Sequence, residues 1–542
     1  MNIWKTIRGA TSGLALAAVL AQGAAAEGYS VERLVPGSDF HGVHGLAVDH
    51  DGALFAGSVN GMSVYRVDRE TGQVTTEIPA PDGMADDIAI APDGTMAWTG
   101  FLTGDIFART PGGETKKLAS GLPGINSLAY RSDGRLYASQ VFLGDALYEI
   151  DPKGVTAPRK IVDGMGGLNG FEFGPDDKLY GPIWFKGQVV RLDVDSGEFE
   201  VLADGFKVPA AVNLDSKGNI WVVDSARGEL VRLDPQGQNR KVVAKLSSAL
   251  DNLAIDAQDQ VFVSNMADNG IQQIDPETGD VQQLVKGRLA TPGGIDVVSD
   301  DAGETLHVAD FFSYRTVNGA TGEVRDMARM QRDHLEYPIS ARANAQHVLL
   351  SSFFTGTVQV RDRATGEEVA MFHGFAAPMD AIEMPDGALL VLELAAGQLT
   401  RVTGEDGKTR KPLATGLTLP VGMVADGPNA VIVSEAGAGT VARIDLATGE
   451  RTVIASGLSG PEGMDMTPDG QLVVAEVGKH RVVRIDPANG ALQVLAEDLP
   501  LGLSPASVMP PAGVPTGVAA GKDGTIFVTS DIENSILVLK PM

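Results

Sequence analysis

The sequence predicts an all-β protein built from two six-bladed β-propellers in tandem, with twelve four-stranded blades in total. Three observations support this prediction. A pattern of about 42 residues recurs from position 41 to the end of the chain. An Asp-Gly pair occupies the same slot in many repeats and predicts a tight turn between two strands. A basic-apolar-Asp signature ends the third strand, as in VYRVD at 64–68 and VVRID at 482–486.

Each repeat is interpreted as four short antiparallel strands. An apolar strand leads into the Asp-Gly turn, which we expect to be a two-residue hairpin because such turns need positive φ. A second strand, the signature strand and a more polar outer strand such as VQQLV at 281–285 complete the unit. The turn recurs at Asp51-Gly52, Asp93-Gly94, Asp133-Gly134, Asp386-Gly387, Asp469-Gly470 and Asp523-Gly524.

Twelve blades exceed the four to eight that usually close one ring, which favours two rings of six with a boundary near residue 291. Seven plus five blades is the alternative. The predicted domains are a closing strand within 27–40, a first propeller at 41–291 and a second at 292–542. The predicted blades begin near residues 41, 84, 125, 168, 209, 250, 292, 339, 379, 421, 461 and 513.

The two ends of the chain suggest how the second ring closes. The last repeat stops after its third strand at 536–539, and an outer-strand pattern at Val31–Val35 belongs to no repeat. We therefore predict that residues 30–36 supply the missing fourth strand of the last blade, which removes an exposed sheet edge.

The first 26 residues have the layout of a secretory signal peptide. Lys5 and Arg8 precede a short apolar run at 14–20, and Ala24–Ala26 form a small-residue cleavage site. The run is too short to span a bilayer. We expect cleavage near Ala26 and a periplasmic or secreted protein; a disordered cytosolic leader is the alternative.

Composition excludes several classes of function. The net charge of −27 disfavours binding to nucleic acid or to anionic membrane surfaces. The absence of cysteine excludes disulfides, thiol catalysis and Cys-zinc sites. No later segment is apolar enough for a membrane span, and no motif typical of serine hydrolases, phosphate-binding loops, zinc proteases or EF-hands is present.

One position per repeat, at the start of the innermost strand, is expected to face the central channel. In the first ring this slot carries oxygen donors, and the neighbouring Asn252 adds another. Such donors are what Ca²⁺ binds, six to eight at a time. Caps of loop backbone are the alternative role for these residues. The slot reads His44, Asp86, Asn126, Asn169, Ala210 and Asp251 in the first ring, and Gly293, Ser340, Asp380, Gly422, Glu462 and Thr516 in the second.

These residues resemble those of the six-bladed calcium-dependent lactonases and esterases, the gluconolactonase/regucalcin family and the related paraoxonases. The resemblance rests on Asn126 in INSLAY, Asn169 in LNGFEF and Asp251-Asn252 in LDNLAID, and His44 in VHGLAV is similar to the channel histidine of paraoxonases. It implies a hydrolase of a small-molecule lactone or ester. Ca²⁺ or another divalent cation would polarise the carbonyl.

The resemblance and the donor set together assign site residues. The predicted metal ligands are Asp86, Asn126, Asn169, Asp251 and Asn252, and the candidate general bases are His44, Asp86 and Asp251. Four aromatic residues on the same face either wall a substrate pocket or pack between blades. They are Phe101, Phe142, Trp184 and Phe185.

The second ring offers a rival site. Long loops at 326–338 and 500–516 cover its face. Glu462 in PEGMDM resembles the acidic metal position of the lactonases, while a solvated acidic face is the alternative. The second-ring candidates are Asp310, Asp380, Glu393 and Glu462, with Glu435 and Glu476 nearby.

Three functions therefore stay open from sequence. The first is a secreted calcium-dependent hydrolase with its site in the first ring. The second is a non-catalytic propeller that binds a protein, glycan or small ligand. The third is a metal-assisted lyase resembling the streptogramin-cleaving lyases, for which His480 and Glu476 are the candidate residues.

Overall fold

The computed structural model describes residues 28–404, 407–505 and 513–542. These residues form twelve four-stranded antiparallel sheets. They contain no α-helix and two short 3₁₀ turns, Trp184–Lys186 and Val477–Lys479. The predicted fold class, a tandem double propeller, is confirmed.

Blades one to six follow one another along the chain, each with its strands in sequential order. Their strands are β2 (Leu46–Val48), β3 (Leu54–Ser58), β4 (Ser63–Val67), β5 (Val74–Ile78); β6 (Ala85–Ile90), β7 (Met96–Gly100), β8 (Asp105–Arg109), β9 (Thr115–Ala119); β10 (Ile125–Tyr130), β11 (Leu136–Gln140), β12 (Ala146–Ile150), β13 (Arg159–Asp163); β14 (Glu172–Phe173), β15 (Leu179–Ile183), β16 (Gln188–Leu192), β17 (Phe199–Ala203); β18 (Pro209–Leu214), β19 (Ile220–Asp224), β20 (Glu229–Leu233), β21 (Lys241–Lys245); and β22 (Leu250–Ile255), β23 (Val261–Asn265), β24 (Gly270–Ile274), β25 (Val281–Lys286).

Blades seven to twelve continue the pattern, and the last blade takes its outer strand from the N-terminus. Their strands are β26 (Ile295–Asp300), β27 (Gly303–Asp310), β28 (Ser313–Asn318), β29 (Val324–Arg329); β30 (Ser340–Ala343), β31 (His347–Ser352), β32 (Thr357–Asp362), β33 (Glu368–Phe372); β34 (Pro378–Glu383), β35 (Leu389–Glu393), β36 (Gln398–Thr403), β37 (Thr409–Thr415); β38 (Pro420–Ala425), β39 (Ala430–Glu435), β40 (Thr440–Asp445), β41 (Arg451–Ser456); β42 (Pro461–Met466), β43 (Leu472–Glu476), β44 (Arg481–Ile485), β45 (Leu492–Ala496); and β46 (Val518–Ala520), β47 (Ile526–Ser530), β48 (Ser535–Pro541), β1 (Tyr29–Val35).

Contacts between inner strands close two rings of six blades. Strand β22 packs against β2, and β46 packs against β26. The Ser264 hydroxyl donates to the His44 carbonyl at 2.6 Å across the first closure. The Thr529 hydroxyl donates to the Gly293 carbonyl at 2.7 Å across the second. The seven-plus-five division is therefore wrong, while the domain limits at 41–291 and 292–542 stay predictions.

The N-terminal strand closes the second ring, as predicted. Strand β1 pairs antiparallel with β48 from Tyr29 opposite Pro541 to Val35 opposite Ile536. The Arg33 guanidinium forms an ion pair with Glu533 at 2.8 Å beside this ladder. The predicted signal peptide, residues 1–26, lies outside the described part of the chain.

The Asp-Gly turns are one residue longer than expected. The Asp49 amide donates to the Ala53 carbonyl at 3.0 Å, and the Gly52 amide donates to the Asp49 carbonyl at 3.0 Å. The loop therefore holds three residues, and Gly52 alone among them has a left-handed φ, of 83°. This is the three-residue loop in which only the last position needs glycine, so the aspartate keeps an ordinary backbone.

The blades pack face to face through apolar side chains. A core cluster between blades two and three contains Ile106, Ile125 and Leu136, all fully buried. Equivalent clusters fill the other blade interfaces, including the one between β48 and β27, where Leu306 meets Ile536. None of the described helical segments has the length and apolar character to cross a bilayer.

Buried polar contacts fix the two rings against each other. Within the first ring, the Asn269 side-chain oxygen accepts from the Gly42 amide at 2.8 Å, next to one of the two chain crossings between the rings. From the second ring, the Arg329 guanidinium donates to Asp268 at 2.9 Å. Arg315 donates to backbone carbonyls of the first ring. Arg329 ends β29 and is almost fully buried, so the predicted long loop at 326–338 begins inside a strand.

Candidate metal centre

The candidate ligands of the first ring lie on irregularities at the start of the inner strands. The pairing of β6 with β7 skips Asp86 and Asp87. The pairing of β22 with β23 skips Asp251 and Asn252, and that of β10 with β11 skips Asn126. A β-bulge leaves its extra residue unpaired and redirects the side chain. The small or polar pair before each apolar strand is thus the sequence signal of a bulge at the channel mouth.

Three of the predicted residues converge. One ligand atom from each of His44, Asp86 and Asp251 lies within 4.8 Å of the other two. They come from blades one, two and six, which are neighbours around the closure of the ring. In the described ranges this is the one such group of three acidic or imidazole side chains.

Asp86 is buried and Asp251 is half-buried, and their carboxylates repel each other. Burial raises the pKa of Asp86 well above its usual range, and Asp251 and Asp87 raise it further. Burial raises the pKa of Asp251 to about 7. Neither carboxylate pairs with a lysine or arginine among the described residues. The pair therefore lacks a compensating positive charge, which a bound cation would supply.

The orientation of His44 suits it to accept a proton or bind a metal. Its Nδ1 lies 2.9 Å from the Gly42 carbonyl, which fixes a proton on that nitrogen and leaves Nε2 free. Burial lowers the pKa of His44 to about 4. The imidazole is therefore neutral at neutral pH.

Two asparagines adjoin the carboxylates. The Ser127 hydroxyl lies 2.7 Å from the Asn126 side-chain oxygen and 3.0 Å from that of Asn169, so it links the two. A side-chain hydrogen bond from Asn126 to Asp86 opposes the rise of the Asp86 pKa. Both asparagines are almost fully buried. They supply neutral oxygens beside the charged ones.

Asn252 belongs to a second layer of the channel. Its amide nitrogen donates to Asp87 at 2.9 Å, and its oxygen accepts from the Leu253 amide at 2.7 Å. Its predicted role as a metal ligand stays a prediction. Asp87 and Glu172, each with a pKa raised by burial to about 7, line a cavity of about 180 Å³ with Asn252. Glu172 was missed from sequence because it lies beyond the slot that opens each strand.

The second ring covers one side of this mouth with aromatic side chains. The Phe312 ring meets the His44 ring edge to face, with 5.6 Å between centroids. The ring centroid of Tyr337 lies 6.4 Å from that of Phe312 and 5.4 Å from that of Phe311. Burial and the carboxylates of Asp251 and Asp86 raise the pKa of the Tyr337 hydroxyl. The candidate site is thus enclosed by residues from both propellers.

The predicted aromatic wall on the other side divides into buried and exposed members. Phe101 is buried and packs with Met62 and Met84, as the packing alternative expected. Phe142 and Phe185 are 44% and 63% exposed, and their ring centroids are 5.8 Å apart. Trp184 packs edge-on against Phe142 at 5.4 Å. The exposed pair leaves an apolar surface at the rim.

The side chain of Arg342 fills the channel of the second ring. The Arg342 guanidinium donates to the carboxylate of Asp380 at 2.8 and 3.1 Å, with Asp296 and Asp465 close enough to act on its charge. The residual cavity measures only about 20 Å³. Asp380 is therefore the partner of an arginine rather than an open ligand. The slot pattern missed Arg342, which stands two positions after Ser340.

Two other second-ring candidates serve the backbone of their own blades. Asp310 accepts from the amides of Ala290 and Thr291 and pairs with Arg315 at 3.0 Å. Glu393 accepts from the Ala376 amide at 2.7 Å and from Gln398 at 2.9 Å. Each of these carboxylates lies at the end of the second strand of a blade. It accepts hydrogen bonds from the loop that precedes the first strand of the same blade.

The remaining second-ring acids also have partners. Glu462 accepts from the Thr516 amide at 2.7 Å, and burial raises its pKa well above the usual range. Glu476 pairs with Arg481 at 2.6 Å and Lys479 at 2.8 Å. His480 contacts the Leu501 carbonyl through Nδ1 at 2.6 Å. Glu476 and His480, the acid and the imidazole that the lyase hypothesis requires, are thus already bonded to neighbouring groups of the same region.

Comparison with known proteins finds a family model that is similar to part of the first ring. Residues 180–291 match the family model described as SMP-30/Gluconolactonase/LRE-like region. This confirms the resemblance to gluconolactonase-like propellers over that stretch, which includes Asp251. No curated protein sequence matches the chain.

Similar solved structures have low sequence identity and low TM-scores to this chain. A gluconolactonase from Xanthomonas campestris is 16% identical with a TM-score of 0.36, covering 44% of this chain and 87% of that one. The extracellular domain of a one component system from B. thetaiotaomicron is 12% identical with a TM-score of 0.33, covering 93% and 76%. The tricorn protease is 11% identical with a TM-score of 0.38, covering 94% and 61%.

Proposed function

We propose that this protein is a metal-dependent hydrolase of a lactone or a related ester, with its site at the mouth of the first propeller. The observation that carries the proposal is the convergence of His44, Asp86 and Asp251 within 4.8 Å, without a cationic partner among the described residues. The family match over residues 180–291 supports the lactonase class.

The donor set favours calcium. Asp86 and Asp251 offer charged oxygens, and Asn126 and Asn169 offer neutral ones, which is the mixture that Ca²⁺ binds. The described part of the chain brings a single imidazole to the group, whereas zinc sites in catalysis often use several. We assign Asp86 and Asp251 as the principal ligands and the two asparagines as supporting ones.

When bound, a divalent cation acts as a Lewis acid on the carbonyl oxygen and lowers the pKa of water. The chain supplies the remaining functions. His44 accepts the proton of the attacking water, because its Nδ1 bond to Gly42 leaves Nε2 free. Asp86 or Asp251 is the alternative base. The exposed rings of Phe142 and Phe185 contact the apolar part of the substrate.

The proposal is tested by metal content, thermal shift and turnover of a lactone panel. Asp251→Asn should lose most of the activity and most of the stabilisation by Ca²⁺, since it removes one ligand charge. Asp280→Asn, on an exposed turn of the same blade, is the matched control and should behave like the wild type. Activity that survives chelation and Asp251→Asn would overturn the proposal. No chelator effect together with no turnover would favour a non-catalytic binding scaffold.

We also propose export to the periplasm or the medium, with cleavage near Ala26. The proposal rests on the charged start and the small-residue site of the first 26 residues. N-terminal sequencing of the mature protein tests it and should read from Glu27. A mature chain that retains Met1 would contradict it.

A further inference from the structure

Tyr337 of the second propeller is separated from His44 of the candidate metal centre by one aromatic ring, that of Phe312. It lies in the segment between β29 and β30, and aromatic rings hold it on two sides. Its ring centroid is 5.4 Å from that of Phe311 and 5.1 Å from that of Phe354. Phe312 connects it to His44. The ring is thus fixed in place by packing.

The backbone around this position is strained. Phe142, Phe311 and Tyr337 have φ values of 69°, 32° and 42°, in the left-handed region. Among the Phe, Tyr and Trp residues of the described chain, these three have such a backbone. Bulky side chains avoid this region, and strain of this kind concentrates at functional sites. All three adjoin the mouth of the first ring.

The Tyr337 hydroxyl has no hydrogen-bond partner among the described residues, although the ring is packed. The carboxylates of Asp251 and Asp86 are near enough to influence its ionisation. A phenol is a hydrogen-bond donor at neutral pH. An unused donor next to the metal centre is suited to an oxygen atom of a bound ligand.

We propose that the second propeller completes the active site of the first, and that the Tyr337 hydroxyl donates a hydrogen bond to the substrate oxygen that gains negative charge. This inference rests on the proposed function. Tyr337 forms no covalent bond and keeps its proton; it stabilises the charged oxygen formed when water adds to the carbonyl. Preorganised donors of this kind strengthen as charge develops.

The inter-ring contacts supply the rigidity that such a donor needs. Arg329 fixes the second ring against blade six through its ion pair with Asp268. Blade six also carries Asp251. A donor held on packed elements keeps its distance to the reacting atoms, whereas a mobile lid would have to close first.

The test compares Tyr337→Phe with Tyr180→Phe. The first variant removes only the hydroxyl and keeps the packed ring. The second removes a hydroxyl that is bonded to Asp176 at 3.0 Å, at the turn between β14 and β15. Each protein is assayed for kcat and KM on δ-valerolactone, for binding of δ-valerolactam, and for the near-ultraviolet tyrosine difference spectrum on adding Ca²⁺.

Tyr337→Phe should lower kcat at least about tenfold with KM nearly unchanged, since the lost bond strengthens in the transition state. It should weaken lactam binding about fivefold, as expected for one hydrogen bond. The Ca²⁺-induced difference spectrum should disappear, while Ca²⁺ affinity and Tm stay as in the wild type. Tyr180→Phe should keep the spectrum, the lactam affinity and kcat.

The spectrum separates the two proposals. If no lactone is hydrolysed but the difference spectrum depends on Tyr337, the proposed reaction is wrong and the shared site stands. If lactone is hydrolysed at the wild-type rate by Tyr337→Phe, with unchanged lactam binding, the shared site is wrong and the proposed reaction stands.

Discussion

The Phe312 ring of the second propeller packs edge to face on the His44 imidazole of the first, with 5.6 Å between centroids and 68° between planes. His44 also accepts the Ser264 hydroxyl at its carbonyl, at the closure of its own ring. One residue therefore contacts the channel, the ring closure and the neighbouring propeller. The two propellers meet at the candidate site.

Phe312→Ala should destabilise the protein by about 3–5 kcal/mol, because the ring is fully buried and its loss leaves a cavity beside His44. Differential scanning calorimetry measures the effect. Phe354→Ala, at a ring that is 40% exposed, is the control and should lower Tm much less. Equal effects of the two substitutions would contradict the packing role of Phe312.

Arg342→Met should destabilise the second propeller by about 3–5 kcal/mol, because it leaves the buried Asp380 carboxylate without its cation. Adding Asp380→Leu to this variant should recover part of the loss. Chemical denaturation measures both. Arg109→Met, which breaks a half-exposed pair with Glu77, should change stability little. A double variant no more stable than Arg342→Met would show that the pair is not coupled.

Stability without metal should fall as pH rises from about 4 to about 7. Asp87, Glu172 and Asp251 have pKa values of about 7 in the folded state, above their ordinary values near 4. In that window these three carboxyls bind more protons in the folded than in the unfolded state, so their deprotonation costs folding free energy. The buried His44 and His307, whose pKa burial lowers to about 4, act in the opposite direction but are outnumbered by the buried acids. In a chelator, Tm should drop on the order of 5 °C across the window.

Above pH 7, calcium should reverse the part of this drop that comes from Asp251, because the cation binds the ionised Asp86 and Asp251, whereas Asp87 and Glu172 lie outside the ligand set. Thermal scans at several pH values, with chelator and with Ca²⁺, measure both effects. A chelated protein whose Tm rises across the same window would contradict the burial of these acids.

Deleting residues 27–36 should lower the Tm of the second propeller, because β1 is the outer strand of its last blade and its loss exposes the edge of β48. The calorimetric transition of the first propeller should change less. Arg33→Ala, which removes the ion pair with Glu533 but keeps the strand, is the milder control. If the calorimetric transitions of both propellers stay unchanged after the deletion, the closure of the second ring by β1 is contradicted.

The repeat pattern was enough to predict the blades and the closure by residues 30–36, since both depend on local alternation and turn residues. The repeat pattern also selected His44, Asp86 and Asp251, which the structure brings together, because one slot per blade is expected to face the channel. The pattern could not predict Arg342, which enters the second channel two residues after the slot position Ser340, on the same face of β30. A pattern that considers one position per blade does not include this residue.

Hydrogen-bond partners and the relative orientation of the two rings depend on contacts between residues that are distant in sequence. The sequence predicts Asp310 and Glu393 as candidate site residues, because it does not show which backbone amides donate hydrogen bonds to them. Phe312 and Tyr337 could not be placed over the first ring, since the relative orientation of two rings is set by buried contacts such as Arg329 with Asp268. Residues close in space there are tens to hundreds of positions apart in sequence.

The most direct test of the central claim is a calorimetric titration of the chelated protein with Ca²⁺. The wild type should bind one ion at the group formed by His44, Asp86 and Asp251. Asp86→Asn and Asp251→Asn should each weaken Ca²⁺ binding at least tenfold. The control Asp280→Asn should bind Ca²⁺ like the wild type. Binding that is unchanged in both ligand variants, or no binding by the wild type, would contradict a metal centre in the first propeller.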